Sequence, residues 1–101
     1  MPEFAHPFAG LTLDRKITHE ELIRAIRYSI AAEYEAIQLY MQLAESTDNE
    51  KAKAVLVDVA NEEREHVGEF LRVLRELAPD EEEYYRKGSA EVEALFKKLS
   101  K

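Results

Sequence analysis

With 101 residues, 46% hydrophobic and 35% charged, the chain is long enough for one helical domain and too short for two. Its formal net charge of −7 argues against nucleic acid and anionic membrane surfaces as partners, and suits the attraction of cations. The absence of cysteine excludes disulfides, iron–sulfur clusters, thiol catalysis and rubredoxin-type iron, and no stretch has the length or apolarity of a signal peptide or membrane span, so the cytoplasm is the expected compartment.

Residues 1–17 carry Pro2, Pro7 and Gly10 among Phe4, Phe8, Leu11 and Leu13. They read as an extended arm whose aromatics pack on a neighbouring subunit, or as a loosely ordered terminus. Residues 18–101 read as one all-α domain. Thr18-His19-Glu20-Glu21 is a capping box, in which Thr18 accepts from the Glu21 N–H and Glu21 reaches back. It opens a helix from His19 to about Glu45. The link Ser46-Thr47-Asp48 is short and polar, and either Thr47 with Glu50 or Asp48 alone caps a second helix running from Asn49 to Leu77. Pro79 disfavours helical geometry at Ala78 and ends it. Asp80 is placed to cap a short segment over Glu81–Lys87, Gly88 breaks it, and Ser89 starts a last amphipathic piece bearing Val92, Leu95, Phe96 and Leu99. The expected architecture is an antiparallel two-helix hairpin with a short C-terminal helix. Such a chain buries little alone, so it is expected to dimerise into a four-helix bundle.

Each long helix carries an apolar seam of alternating four- and three-residue steps, the pattern that buries itself against a partner helix. On the second helix it runs Ala52, Leu56, Val59, Glu63, His66, Phe70, Val73 and Leu77; on the first, Ile26, Ile30, Glu33, Ile37, Tyr40 and Ala44. The intruders are Glu33, Glu63 and His66. Glu33 precedes Thr47 by 14 residues and Glu63 follows Asp48 by 15. At ~1.5 Å per residue both stand roughly 20 Å from the turn, at one height in the hairpin. Three potential metal ligands therefore converge. Glu-x-x-His alone is weak, since Glu fills 17 of 101 positions, and Glu3-Phe4-Ala5-His6 in the arm repeats it by chance. The seam and the matched height set Glu63 and His66 apart.

Oxygen-rich ligation with one imidazole disfavours a closed zinc site and suits iron or manganese. One Glu plus one Glu-x-x-His is half of a di-iron carboxylate site, which takes a Glu from each of two helices and a Glu-x-x-His from each of two others. Two hairpins related by a two-fold axis supply the whole set, so the site is expected between subunits. Tyr40, two turns from Glu33 on the same seam, is placed either to orient a ligand carboxylate or to serve as a core aromatic with a wet tip. Glu35, Glu62, Glu65 and Glu69 flank the seam. Solvated surface is the default for each, with Glu35 and Glu62 the candidates for a secondary metal site. Asp58 and Arg64 read as surface residues, and His19 as an exposed helix-start residue.

Glu33-Tyr34-Glu35-Ala36-Ile37-Gln38-Leu39-Tyr40, the Ser46-Thr47-Asp48 turn and Asn61-Glu62-Glu63-Arg64-Glu65-His66 resemble the encapsulated ferritins, short two-helix members of the ferritin-like superfamily packaged inside encapsulin shells. The likeness covers roughly residues 18–100. His66-Val67-Gly68-Glu69-Phe70 further resembles the ferritin-like domain fused to some archaeal encapsulin shell proteins. The resemblance implies a ferroxidase that binds Fe²⁺ at a dimer interface, passes electrons to O₂ and delivers ferric product for mineralisation in the shell. It implies Glu33, Glu63 and His66 as iron ligands, Glu63 as the bridging carboxylate, Tyr40 as a supporting tyrosine, and an open ring of dimers. Two features depart from the family. Ala32 stands where a carboxylate is expected beside the first ligand, which weakens the secondary site although Glu35 remains. Lys97-Lys98-Leu99-Ser100-Lys101 contains no recognisable shell-targeting peptide, so a truncated chain, a piece of a fused shell protein and a free protein are all open.

Two rival readings remain at this stage. A rubrerythrin-like peroxide reductase would use the same di-iron chemistry with H₂O₂ as oxidant, although that family usually adds a cysteine-ligated iron. A non-catalytic helical oligomer would use Glu33, Glu63 and His66 as a buried polar layer.

Overall fold

A computed structural model describes residues 15–100. It contains three helices among the described residues, with no strand: α1 (His19–Ser46), α2 (Glu50–Leu77) and α3 (Glu81–Leu99). The all-α hairpin with a C-terminal helix is as expected; the 1–17 arm and its Glu3-Phe4-Ala5-His6 lie outside the described residues except for Arg15, Lys16 and Ile17. Among the described residues no helix is long and apolar enough to cross a membrane.

The capping box forms in full. Thr18 Oγ1 accepts from the Glu21 N–H at 3.1 Å, and Glu21 Oε1 accepts from the Thr18 N–H at 2.7 Å. Arg15 extends it, its guanidinium donating to both Glu21 carboxylate oxygens at 2.9 and 3.1 Å. At the turn the cap is Asn49. Its side-chain oxygen accepts from the Ala52 N–H at 3.0 Å, whereas Thr47 Oγ1 accepts from the Asn49 N–H. Thr47 and Asp48 are therefore turn residues and not the cap of α2. Three consecutive residues could cap here; Thr47 and Asn49 are both extended, and Asn49 is the one directly before the helix. Ahead of Pro79, α2 ends at Leu77 with the Ala78 N–H bonded to the Leu74 carbonyl. His19 Nε2 donates to the Leu77 carbonyl at 2.9 Å, so this exposed histidine ties the start of α1 to the end of α2.

Two expectations are corrected. On α2 the line that closes the hairpin is a different stripe from the predicted seam, whereas on α1 the buried Ala44 is the last position of the predicted one. Ala60, Val67 and Leu74, seven residues apart on α2, are buried with Ala44 of α1, Ala60 at 1% and Leu74 at 2% exposure. Along the predicted α2 seam, Ala52, His66 and Val73 are exposed and the remaining positions only half-buried. Small alanines at the inner line let the two helices approach closely, and this turns the seam sideways onto an open face.

The second correction concerns α3, which is one continuous helix through Gly88, with no break at Lys87. A glycine costs about 1 kcal/mol relative to alanine in a helix interior, which the surrounding Glu, Lys, Arg, Ala and Leu residues outweigh. Asp80 gives no side-chain cap. Its successor Glu81 holds the helix instead, accepting from Arg27 of α1 and from the Tyr85 hydroxyl. Arg75 of α2 pairs with Glu82 at 3.4 Å. Everything from Glu83 to Ser100 is exposed, so α3 projects from the hairpin. The radius of gyration is 17.9 Å, against about 13 Å for a compact globule of 100 residues. A chain of this shape has left two apolar faces without cover.

Candidate metal centre

The centre lies on the open face of the hairpin at mid-height. Glu63 and His66 are three residues apart on α2 and so share one side of it, and the short Thr47–Asn49 reversal brings Glu33 of α1 level with them. Ala60, one turn before Glu63, is the small buried residue that allows α1 to come close at this height.

One ligand atom from each of Glu33, Glu63 and His66 lies within 4.8 Å of the other two. His66 Nδ1 stands 3.5 Å from Glu63 Oε2 and 3.7 Å from Glu33 Oε2. These gaps are too long for good hydrogen bonds, and they are of the size that a pair of metal–ligand bonds of ~2.0–2.2 Å bridges. Glu33 and Glu63 are largely covered, at 20% and 18% side-chain exposure, while His66 at 46% forms the open rim. Glu33 Oε2 is buried, and no group among the described residues donates a hydrogen bond to it. Two half-buried carboxylates with one imidazole, and no Lys or Arg partner among the described residues, make a site rich in carboxylate, with one oxygen in need of a cation or a donor. The residues present therefore fit a hard or borderline divalent ion.

Among the described residues of one chain the cluster is confined to these three. Glu62 is exposed and stands outside it. Glu35 is half-buried, also outside it, and its Oε1 is likewise buried without a hydrogen-bond partner. It lines a shallow groove of about 430 Å³ along α1 with Ala32, Leu39 and Tyr40. Tyr40 is half-buried and makes no hydrogen bond to Glu33, Glu63 or His66 of its own chain. Glu65 and Glu69 are exposed, as are Asp58 and Arg64, the last donating to Asn61.

The Glu81 contacts were not foreseen. Tyr85 and then Arg27 hold its carboxyl below the usual range, and the same bond pushes the Tyr85 hydroxyl up. Arg27 lies 54 residues from Glu81, so no local pattern announces the pair.

The chain matches the Rubrerythrin family over residues 24–100, a family whose members bind iron. It is 42% identical over 82 residues to the ferritin-like–encapsulin shell fusion protein of Pyrococcus furiosus, covering 81% of this chain and 24% of that protein. It is 46% identical over 81 residues to the encapsulin nanocompartment cargo protein EncC of Myxococcus xanthus, covering 80% of this chain and 61% of that one. The chain thus spans about a quarter of the fusion protein and three-fifths of the cargo protein. The crystal structure of the encapsulated ferritin domain from Pyrococcus furiosus matches with a TM-score of 0.81 at 40% identity, over 84% of this chain and 87% of that one. With the fold, the three converging side chains and these likenesses in agreement, the chain belongs to the rubrerythrin family and, within it, to the encapsulated ferritins.

Proposed function

We propose that the chain is a ferroxidase that takes Fe²⁺ as substrate and oxidises it to Fe³⁺ with O₂ at a di-iron site formed between two copies. Glu33, Glu63 and His66 of each copy are its ligands. The observation that carries this reading is the buried, unpartnered Glu33 Oε2 opposite Glu63 and His66 on an open face. The arrangement is half of the donor set that a di-iron carboxylate site requires. A two-fold axis through that face doubles it and covers the apolar seam in the same step.

In this reading the carboxylates offset the charge of two ferrous ions and hold them close enough to share one O₂. The two Fe²⁺ ions give up one electron each, and O₂ takes both electrons and two protons to leave as H₂O₂. By likeness to the family, Glu63 is the bridging carboxylate. Tyr40 supports a ligand of the partner copy, since it reaches none in its own. Glu35, with its own orphaned oxygen, is a stronger candidate than Glu62 for the secondary metal site. By likeness to the relatives named above, the partner is an encapsulin shell and the setting a nanocompartment in the cytoplasm, with a ring of dimers inside. Manganese and other divalent ions compete for the same donors in vitro.

The test is anaerobic Fe²⁺ titration followed by oxidant. About one Fe²⁺ per chain should bind, in an assembly no smaller than a dimer. O₂ should then drive rapid oxidation. Glu63→Ala and His66→Ala should each abolish that phase with helical content intact, and wild-type rates in either variant would refute the assignment. Faster turnover with H₂O₂ than with O₂ would move the reading to a peroxide reductase. Failure to bind Fe²⁺ at all would leave a structural polar layer.

A further inference from the structure

We propose that Ala60 is a positioning residue for the metal centre: its small side chain sets the gap between α1 and α2, and with it the size of ion that Glu33, Glu63 and His66 accept. The inference rests on the reading of these three side chains as iron ligands. It adds a physical basis for taking Fe²⁺ over larger divalent cations.

The buried line that closes the hairpin is graded. Within the helices it runs Ala44, Ala60, Val67 and Leu74, so its side chains grow from alanine to leucine with distance from the Thr47–Asn49 reversal. Glu63 and His66 fall between Ala60 and Val67, beside the small end of that line. Ala60 is 1% exposed and stands one turn from Glu63, so it is packed beside the height at which ligands from the two helices meet. The separation of packed helices follows the side chains at the contact, over about 8–10 Å between axes. An alanine here belongs to the near end of that range.

The centre has little slack. Glu33 Oε2 of α1 and His66 Nδ1 of α2 are 3.7 Å apart, and this gap crosses the hairpin. Two bonds of ~2.0–2.2 Å, typical of a small divalent transition metal at such donors, span at most about 4.4 Å. Two Ca²⁺–oxygen bonds of ~2.3–2.6 Å span about 5.2 Å. Less than about 1 Å of widening therefore takes the small ion to its limit and leaves the large one in reach of both helices. A larger buried side chain at position 60 acts on this scale, because the whole range of helix separations is only about 2 Å. Glu33 Oε2 has no donor among the described residues to hold it back as α1 recedes. Leu74 shares the buried line but lies eight residues beyond His66, about 12 Å along the helix, so it supports the fold and not this gap.

The experiment loads the assembled protein anaerobically with Co²⁺, whose visible bands report its ligand set, and displaces it with Fe²⁺ or with Ca²⁺. The quantity read is the ratio of Ca²⁺ to Fe²⁺ concentrations at half displacement. Ala60→Val should lower that ratio by roughly 10-fold or more and alter the Co²⁺ bands, with helical content kept. Ala60→Ser nearly keeps the volume, and its hydroxyl can bond the carbonyl one turn back, so it should match the wild type. Leu74→Ala should lose stability and keep the wild-type ratio. Val67→Leu enlarges the line on the other flank of the ligands by one methylene, and it carries the same prediction should Ala60→Val fail to fold. An unchanged ratio in the folded variant would overturn the proposal and leave the iron ligands as assigned. An equal fall in Leu74→Ala would overturn it too, since general loosening would then explain the effect. A wild-type protein that takes up neither Co²⁺ nor Fe²⁺ would overturn the ferroxidase reading along with it.

Discussion

The hairpin and α3 each present an apolar stripe to solvent, and the two stripes differ in what interrupts them. On the hairpin face the interruptions are Glu33, Glu63 and His66, two carboxylates and an imidazole brought to one point. On α3 the interruption is Gly88, which offers no chemistry and only space. The anchoring differs as well. The hairpin is closed by buried Ala44, Ala60, Val67 and Leu74, whereas α3 hangs on exposed polar contacts at one end. Uncovered apolar surface alone signals association. It signals chemistry only where ionisable groups on it converge without partners of their own.

The sharpest way to break this contrast is to charge the hairpin face. Phe70 sits one turn beyond His66 on the open seam. Phe70→Asp should prevent two hairpins from pairing and leave each centre with half its donors. Oxygen-dependent iron oxidation, followed with an oxygen electrode, should fall by at least the roughly 10–100-fold that disturbed metal-site support removes. Circular dichroism should change little. A comparable oxidation rate from a monomer would separate the chemistry from the pairing.

Next in size is the inner line. Leu74→Ala removes a side chain that is 2% exposed and should destabilise the fold by about 2–5 kcal/mol in denaturant unfolding at fixed protein concentration. The centre should keep its activity in the folded fraction. Weaker by far is the anchor of α3. Arg27→Gln deletes a half-exposed ion pair with Glu81 and should cost roughly 0.5 kcal/mol of stability. Amide exchange should quicken in the first turn of α3 and leave α1 and α2 unaltered.

Legibility in the sequence follows the range of the cause. The Thr18–Glu21 box, the Pro79 stop and the common height of Glu33 and Glu63 are local rules or counts along a helix, and each could be read directly. The choice between two adjacent stripes of α2 could not. Both repeat on average every three and a half or seven residues, and the one that closes the hairpin includes Ala60, whose small side chain registers weakly as apolar but matters through the close approach it allows. Gly88 misleads because a breaker's effect is judged alone, when thirteen of its eighteen neighbours in the same element have high helix propensity. The Arg27–Glu81 tie had no signal at all, being created by the elbow between α2 and α3.

The smallest effect tests the anchoring by pH. Glu21 is held at about 2, well below its ordinary 4.5, first by the hydrogen bond from the Arg15 guanidinium and then by the Thr18 backbone N–H. A carboxylate whose folded value is depressed contributes stability that is fully present above about 4.5 and is lost as pH falls towards 2. Glu81 is shifted in the same direction by Tyr85 and Arg27, so both ends of the contrast loosen in acid. The two carboxylates are separable by substitution. In Glu21→Gln the amide still serves the capping box, because Gln can accept from the Thr18 N–H, but its charge towards Arg15 is gone. Protection of the Glu20–Ile23 amides, with the intrinsic pH dependence of exchange divided out, should then lose its acid dependence between about pH 4.5 and 2. Exchange at the start of α3 should keep its own. Acid dependence that survives at the start of α1 in this variant would show that a group other than Glu21 carries it.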